Sequence, residues 1–380
     1  MQTNIYIFKM LYDIVIIGSG LAGATSARVL AENGFKVLVV EKERNIGGQC
    51  FDYKDSNNIT VHKYGPHIFH TKEKRVWDFV TQFSEFNHFQ HSVLSYSEGN
   101  FVEFPINRIT INKIFGLQLS CNEVEDFLIG EVKRSTFNTP HISFRDVIVS
   151  QVGERLYSMF FENYTKKQWN TDPENLSPEL AFRIPIRTNN DSRYFTDMYQ
   201  GIPKDGYTKM ISNMLDHSNI QILLGCDYFS KKGEIKSNLT IYTGELDRFF
   251  DYKFGELEYR SVRIELKTYD TKQFQPAPVV NYPNDYDWTR TTEFKQLTGE
   301  VSDKTTICYE YPLAKGHAFY TVPTKENNDK RLKYMHEVAQ LESLGKFLFI
   351  GRLAEYRYYN MDNVIAATLD KVNNWLNNHK

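Results

Sequence analysis

A glycine turn set between an apolar strand and a helix, a second apolar strand closing on an acid, and a late apolar run that can rejoin them together predict an α/β fold. The turn lies in the run from Tyr12 through Ile14, Val15, Ile16 and Ile17 to Gly18, Ser19, Gly20, Leu21, Ala22 and Gly23, and the second strand is Val37, Leu38, Val39 and Val40, ending at Glu41. Gly18 permits the tight turn, Gly20 lets the backbone approach a pyrophosphate on the helix N-terminus, and Gly23 allows close helix–strand packing. Glu41 can accept hydrogen bonds from ribose hydroxyls. The spacing predicts a Rossmann-like domain that binds a dinucleotide, with Gly18, Ser19, Gly20, Ala22, Gly23, Glu41 and Lys42 as candidate contacts.

Further along, residues 59–71 read as a strand that breaks into a loop at Gly65 and Pro66. Apolar residues then recur every three to four positions over 111–115, 124–133 and 144–157, which predicts a helical insertion spanning 106–180. Short β-rich runs over 182–199 and 257–320, such as 261–267, are punctuated by Pro and Asn. They predict an antiparallel sheet domain assembled from 76–105, 181–199 and 251–334. Residues 207–215 read as a helix, and 220–224 and 239–243 as strands returning to the first domain. The run 347–350 is a buried strand, followed by Gly351, Arg352 and a helix over 362–375. The nucleotide domain is thus expected to be discontinuous, comprising 1–75, 200–250 and 335–380. The charged stretch 325–330 reads as a solvated loop.

The 380-residue chain is 41% hydrophobic, enough for a sizeable core, and has no uninterrupted apolar run of membrane-spanning length, so it is expected to be cytoplasmic. Residues 1–10 lack the apolar stretch and cleavage site of a signal peptide and read as an extension, with Met10 as a candidate natural start. The four cysteines, Cys50, Cys121, Cys226 and Cys308, lie far apart without a C-x-x-C pair, which argues against zinc, a disulfide framework or a dithiol centre. No metal is expected. A net charge of −2 from 45 basic and 47 acidic side chains offers nothing global to nucleic acid or an anionic membrane. Any anionic ligand must be held by local arginines.

Three clusters mix such arginines with phenols and an indole: YTKKQW from Tyr164 to Trp169, RIPIR ending at Arg187 with Tyr194 and Tyr199, and GRLAEYRYY from Gly351 to Tyr359. Arg290 and Tyr320 join them. Arginine takes phosphate bidentately while Tyr and Trp stack on a base or sugar, so a phosphorylated sugar or nucleotide suits the mixture. No Ser/His/Asp triad or catalytic carboxylate pair is evident.

The loop from Lys42 to Gly48 resembles the one after the second strand in flavoproteins of the glutathione-reductase and amine-oxidase type, which implies FAD. Over its whole length the chain resembles the bacterial UDP-galactopyranose mutases, through GSGLAG at Gly18, EKERNIGG at Glu41, HKYGPHIFHT at His62, YTKKQW at Tyr164, RIPIR at Arg183, YFTDMYQGIPKDGYTKM at Tyr194, FDYKFGELEYRS at Phe250 and GRLAEYRYYNM at Gly351. The resemblance implies an isomerase that interconverts UDP-galactopyranose and UDP-galactofuranose for surface glycans, with reduced FAD attacking the anomeric carbon through N5 while UDP leaves and returns. The protein then has to hold the diphosphate, aim the cofactor and exclude water.

By the same resemblance, Arg187 and Arg290 hold the diphosphate, with Tyr194, Tyr199, Tyr320 and Tyr358 as phenol partners. Tyr164 stacks on uracil and Trp169 belongs to a mobile lid. His67 and His70 tune the flavin environment, Arg352 contacts FAD at the start of the last helix with Tyr359, Asn360 and Met361 alongside, and Asn87, Asn281 and Glu310 lie near the sugar or flavin. The family commonly carries an acid where this chain has Asn360, with Asp362 two residues on. A flavin-reducing electron donor and a homodimer are also implied. The nearest rival is action on the N-acetylated sugar, UDP-N-acetylgalactopyranose; a more distant one is an amine-oxidase-like flavin oxidoreductase, which shares the fold and amino-terminal motifs.

Overall fold

The computed structural model describes residues 12–379. The expected extension and the candidate start at Met10 lie outside the described residues. Continuous apolar runs become strands covered on both faces, as Val37–Val40 shows with all four residues buried. One parallel sheet joins Phe347–Phe349, Leu239–Tyr242, Ile14–Ile17, Val37–Val40 and Ile220–Leu223, in that order. Parallel neighbours need a crossover, and the helix Leu21–Glu32 supplies the first one. It packs against the last helix, Met361–His379. Early, middle and late chain segments therefore share one sheet, as the sequence predicts.

A second sheet has seven strands, in the order Tyr320–Thr321, Tyr259–Tyr269, Thr305–Leu313, Arg290–Glu293, Val279–Asn281, Val93–Ser97 and Asn100–Phe104. It is antiparallel except that Val279–Asn281 runs parallel to Val93–Ser97. Alternation along a strand fixes its buried face but not its direction, so the sequence pattern does not reveal this pairing. The helical insertion contains Arg108–Phe115, Cys121–Lys133 and Phe144–Tyr157, entered through capping boxes at Asn107, Ser120 and Ser143. A π-helical turn, Ser158–Glu162, then leads into the short helix Asn163–Trp169.

Two expectations are corrected. The stretch 182–199 is irregular rather than β-rich: a 3₁₀ turn at Pro178–Arg183 gives way to loop, and only Tyr199–Gly201 is a strand, paired with Phe69–Thr71. Its backbone bonds to distant loop segments instead, as where the Tyr194 N–H donates to the His91 carbonyl at 2.9 Å beside the isolated bridge of Ser92 with Arg193. The charged run 325–330 is the opening of the helix Lys325–Ser343, where Thr324 accepts from the Asn327 N–H and only Asn327, Tyr334 and Val338 are buried. With so few apolar positions the helical period is too weak to show in the sequence. No helix among the described residues is long and apolar enough to cross a membrane.

Asp52 fastens the loop after the second parallel strand to the middle of the chain. Its buried carboxylate accepts from the Tyr207 N–H at 2.6 Å and the Thr208 N–H at 2.9 Å, capping a helix, Tyr207–Leu215, whose own cap residue is Gly206. Asp52→Ala should lower unfolding stability by about 1–3 kcal/mol, read from urea denaturation. An unchanged midpoint would contradict this role.

Candidate active site

The glycine turn opens a cleft that is partly open to solvent. Gly18 adopts φ +103°, and a Cβ there would lie 2.2 Å from the Thr243 Oγ1, so no larger residue fits. The helix Leu21–Glu32 starts with neither a side-chain cap nor an acid in its first turn, which leaves its amides and positive dipole end to an anion. Gly48 lies so close to Gly20 that a Cβ on it would come within 2.9 Å of the Gly20 Cα. Glu41 is buried; its Oε2 accepts from the Ser19 N–H at 2.8 Å and hydroxyl at 2.7 Å, and its Oε1 from the Glu43 N–H at 2.9 Å. A carboxylate oxygen accepting one bond keeps capacity for another, and Glu41 lines the cleft. Lys42, 3.7 Å from Glu245, lines it too. This cradle has the shape and donor set for a dinucleotide.

Tyr64, His67, Arg352 and Met361 also line the cleft. Arg352 belongs to the turn after Phe347–Phe349 rather than to the start of the last helix, and donates to the carbonyl of Tyr359, two residues before that helix. Its Nη1 donates to the Phe319 carbonyl at 3.2 Å and to Gln49 at 3.3 Å. The Tyr359 ring packs against Arg357, the Asn360 carbonyl accepts the Val364 N–H, and the Met361 sulfur lies 3.7 Å from Cys50. The acid in the first turn of this helix is Asp362. Burial raises its carboxyl pKa.

The two predicted histidines differ. His67 donates from Nδ1 to the Gly65 carbonyl at 2.9 Å, and its backbone N–H donates to His62 Nδ1 at 3.0 Å. Burial lowers His67 to about 3 and His62 to about 4, so both rings stay neutral near pH 7; of the two only His67 lines the cleft. His70 is paired with Asp197 at 2.5 Å and stacked on Phe195 at 3.6 Å.

Arg290 and Glu310 stand opposite one another on adjacent antiparallel strands, with Nη2–Oε2 2.8 Å and Nε–Oε1 2.7 Å. Only the first is aligned as a hydrogen bond; the second is an ion-pair contact. Burial is the largest single influence and opposes the guanidinium charge, but Glu310 with Tyr164 and Tyr320 together hold the Arg290 pKa well above its ordinary value. Glu310 packs against Gly65, where a Cβ would lie 3.2 Å from its Oε2, so the ion pair abuts the turn that carries His67 into the cleft. Tyr164 and Tyr320 lie within electrostatic range of this pair and Tyr194 within range of Tyr164, burial pushing the Tyr164 and Tyr320 phenols up. Asn281 is buried beside Arg290 on the next strand. Tyr320 and Tyr358 stack at 5.9 Å with Arg352 5.4 Å from each ring, and Trp169 closes on both at 6.4 and 5.9 Å.

Three predicted contacts are engaged elsewhere. Arg187 donates to the Asp191 and Arg193 carbonyls of its own loop, at 2.8 and 2.6 Å. Tyr199 stacks on Trp77 at 5.5 Å. Asn87 uses its carboxamide as a strut, donating to the Leu297 carbonyl and accepting from the Phe89 and Ile202 N–H groups. Sequence reasoning missed His91, buried against Tyr194 and Phe195 and held down to about 3 by burial, then by Arg290 and His70. No motif surrounds it that would have drawn attention.

His62, His67 and His91 all have folded pKa values lowered from 6.5, so the unfolded chain takes up protons first as pH falls. Their contribution to stability is complete above about pH 6.5 and is lost as pH drops toward 3–4, at up to about 1.4 kcal/mol per pH unit for each. Urea unfolding at pH 7.5, 6 and 5 should show this decline, with a shallower slope in His91→Asn. Equal slopes in the variant and the parent would contradict it.

The match to the family described as UDP-galactopyranose mutase covers residues 159–358, and that to a NAD(P)-binding Rossmann-like domain covers 16–83. The chain is 36% identical to a probable UDP-galactopyranose mutase of Klebsiella pneumoniae, over 96% of this chain and 94% of that one. It is 35% identical to a dTDP-fucopyranose mutase of Escherichia coli, over 97% and 99%. A crystal structure of reduced UDP-galactopyranose mutase superposes with TM-score 0.78 at 18% identity, covering 96% of each chain, which extends the agreement to the fold. The glycine cradle, the half-buried arginine near it and these matches along the chain place the protein in the UDP-galactopyranose mutase family.

Proposed function

We propose that the chain interconverts the pyranose and furanose forms of UDP-galactose with FAD in the cradle, at the point where the cleft meets Arg290. The observation carrying this reading is the Arg290–Glu310 pair packed on the turn that bears His67, which fixes a guanidinium beside the dinucleotide cleft with Nη1 unused by the acid. Reduced FAD, when bound, supplies a nucleophilic ring nitrogen for the anomeric carbon. Gly18, Gly20 and the first turn of Leu21–Glu32 hold its pyrophosphate, and Glu41 takes a ribose hydroxyl.

With Nε and Nη2 turned to Glu310, Arg290 offers Nη1 to the departing diphosphate. Tyr164, Tyr194, Tyr320 and Tyr358 supply hydroxyls and flat faces for phosphate and base. Trp169 covers the cage they form and excludes water. Neutral His67 keeps the ring end of the cleft free of a competing proton donor. Arg187 joins the diphosphate only by leaving the carbonyls that hold it. A homodimer serving surface glycan synthesis in the cytoplasm, with a separate electron donor, completes the reading.

The identity to a dTDP-fucopyranose mutase favours a second reading, in which the base is thymine and the sugar lacks the C6 hydroxyl. Purified flavin-loaded protein incubated with UDP-galactofuranose, its N-acetylated analogue or dTDP-fucofuranose, with and without dithionite, separates these. Conversion of the first under reduction alone is the expected result. No conversion of any would move the assignment toward an oxidoreductase. Arg290→Ala should cost about 2–5 kcal/mol in kcat/KM, and Arg187→Ala less.

A further inference from the structure

Two adjacent lysines in YTKKQW have different surroundings. Lys166 makes surface ion pairs with Glu162 at 2.9 Å and Asp172 at 3.6 Å. Lys167, one position on, sends its ammonium into the loop joining Val279–Asn281 to Arg290–Glu293. There it meets four backbone carbonyls, of Tyr282 at 2.6 Å, Tyr286 at 2.9 Å, and Asn284 and Trp288 at 3.3 Å. Alternate carbonyls of one short loop thus turn inward on a single cation. Burial lowers the Lys167 pKa to about 8, with Asp287 and then Asp285 acting in the opposite direction.

The loop's flanks explain why this contact has consequences beyond its own energy. Asn281 and Arg290 face each other across the hairpin, so the loop closes directly on the residue that pairs with Glu310. Its side chains bind it on both sides. Tyr286 stacks on Trp288 at 4.4 Å, and Tyr96 packs on Tyr282 at 5.6 Å. Asn284 donates to the Met159 carbonyl at 3.1 Å and accepts from Asn163 at 2.9 Å, a second tie to the same short helix. At that helix's other end, Arg260 donates to the Gln168 and Lys167 carbonyls at 2.9 and 3.2 Å.

We propose that Lys167 is a positioning residue, a latch whose caged ammonium fixes the hairpin loop carrying Arg290 to the helix carrying Tyr164 and Trp169. Resting on the functional reading above, it makes the lid and the diphosphate-binding arginine one unit: when Asn163–Trp169 is seated, the loop root is held and Arg290 is aimed. Small displacements of a charged group in a desolvated site reduce rates severely, so the latch acts on turnover through Arg290 rather than by touching substrate.

The test compares flavin-loaded wild type with Lys167→Met, which keeps the stem and removes the cation, and with Asn284→Ser, which breaks the second tie and leaves the ammonium in place. Hydrogen exchange over residues 282–288 and kcat per bound flavin are measured in each. Lys167→Met is expected to lose at least tenfold in kcat per flavin at unchanged flavin content, with faster exchange in the loop, and Asn284→Ser to show the same changes to a smaller degree. Turnover within twofold of wild type, or loop exchange unchanged, overturns the proposal. If Lys167→Met does not fold, Asn284→Ser alone decides: slower turnover per flavin with faster loop exchange supports the latch, and wild-type behaviour overturns it. Absence of turnover in wild type would instead overturn the functional reading, and loop exchange alone would then decide the latch.

Discussion

A charged guanidinium held in an ion pair beside a half-open cleft is the constraint around which the site is arranged. Arg290 retains its charge because Glu310 lies opposite it in the strand register and within 2.8 Å, and Glu310 is 3% exposed. Either group alone would be an uncompensated charge costing several kcal/mol, and the pair is tolerated because the sheet sets its geometry before any ligand arrives. The pair packs against Gly65, whose φ of +89° favours glycine and where a Cβ would lie 3.2 Å from the Glu310 Oε2. Gly65 is also the residue whose carbonyl orients His67. Cleft and charge are consequently built by the same few atoms.

The chain reaches this arrangement by returning to it repeatedly. Strands from its beginning, middle and end make the parallel sheet, and the crossover helix and last helix pack together across the cleft's base. The seven-stranded sheet supplies Asn281, Arg290, Glu310 and Tyr320, and the helical insertion supplies Tyr164 and Trp169. Polar contacts between these parts use charged side chains on backbone carbonyls, as with Arg352 on Tyr359 and Phe319 and Arg260 on Gln168. Such contacts fix position without consuming the few charges that an anionic ligand needs.

The parallel sheet and its cradle were legible because each rests on a local rule: a glycine at positive φ, an apolar run, an acid at a strand end. Residue chemistry grouped the arginines and tyrosines into clusters, and resemblance assigned each its expected role. What stayed hidden depends on direction and distance. The parallel pairing of Val93–Ser97 with Val279–Asn281 leaves no trace in alternation, and the helix Lys325–Ser343 has too few apolar positions to reveal its period. Arg187 and Arg290 look equivalent in sequence, yet one is bound to its own loop and the other to a buried acid. Lys166 and Lys167 diverge similarly, because which of two neighbours points inward is set by the helix phase after the π-turn Ser158–Glu162.

The most direct test of a shared site is to titrate UDP into flavin-loaded protein while recording the flavin absorbance spectrum and, in parallel, binding heat. A nucleotide diphosphate seated at Arg290 lies against the turn bearing His67, so the spectrum should change saturably with the midpoint seen by calorimetry, and both signals should weaken together in Arg290→Ala. UDP binding measured by heat with no change in the flavin spectrum would contradict the account, since it would place the nucleotide away from the cleft.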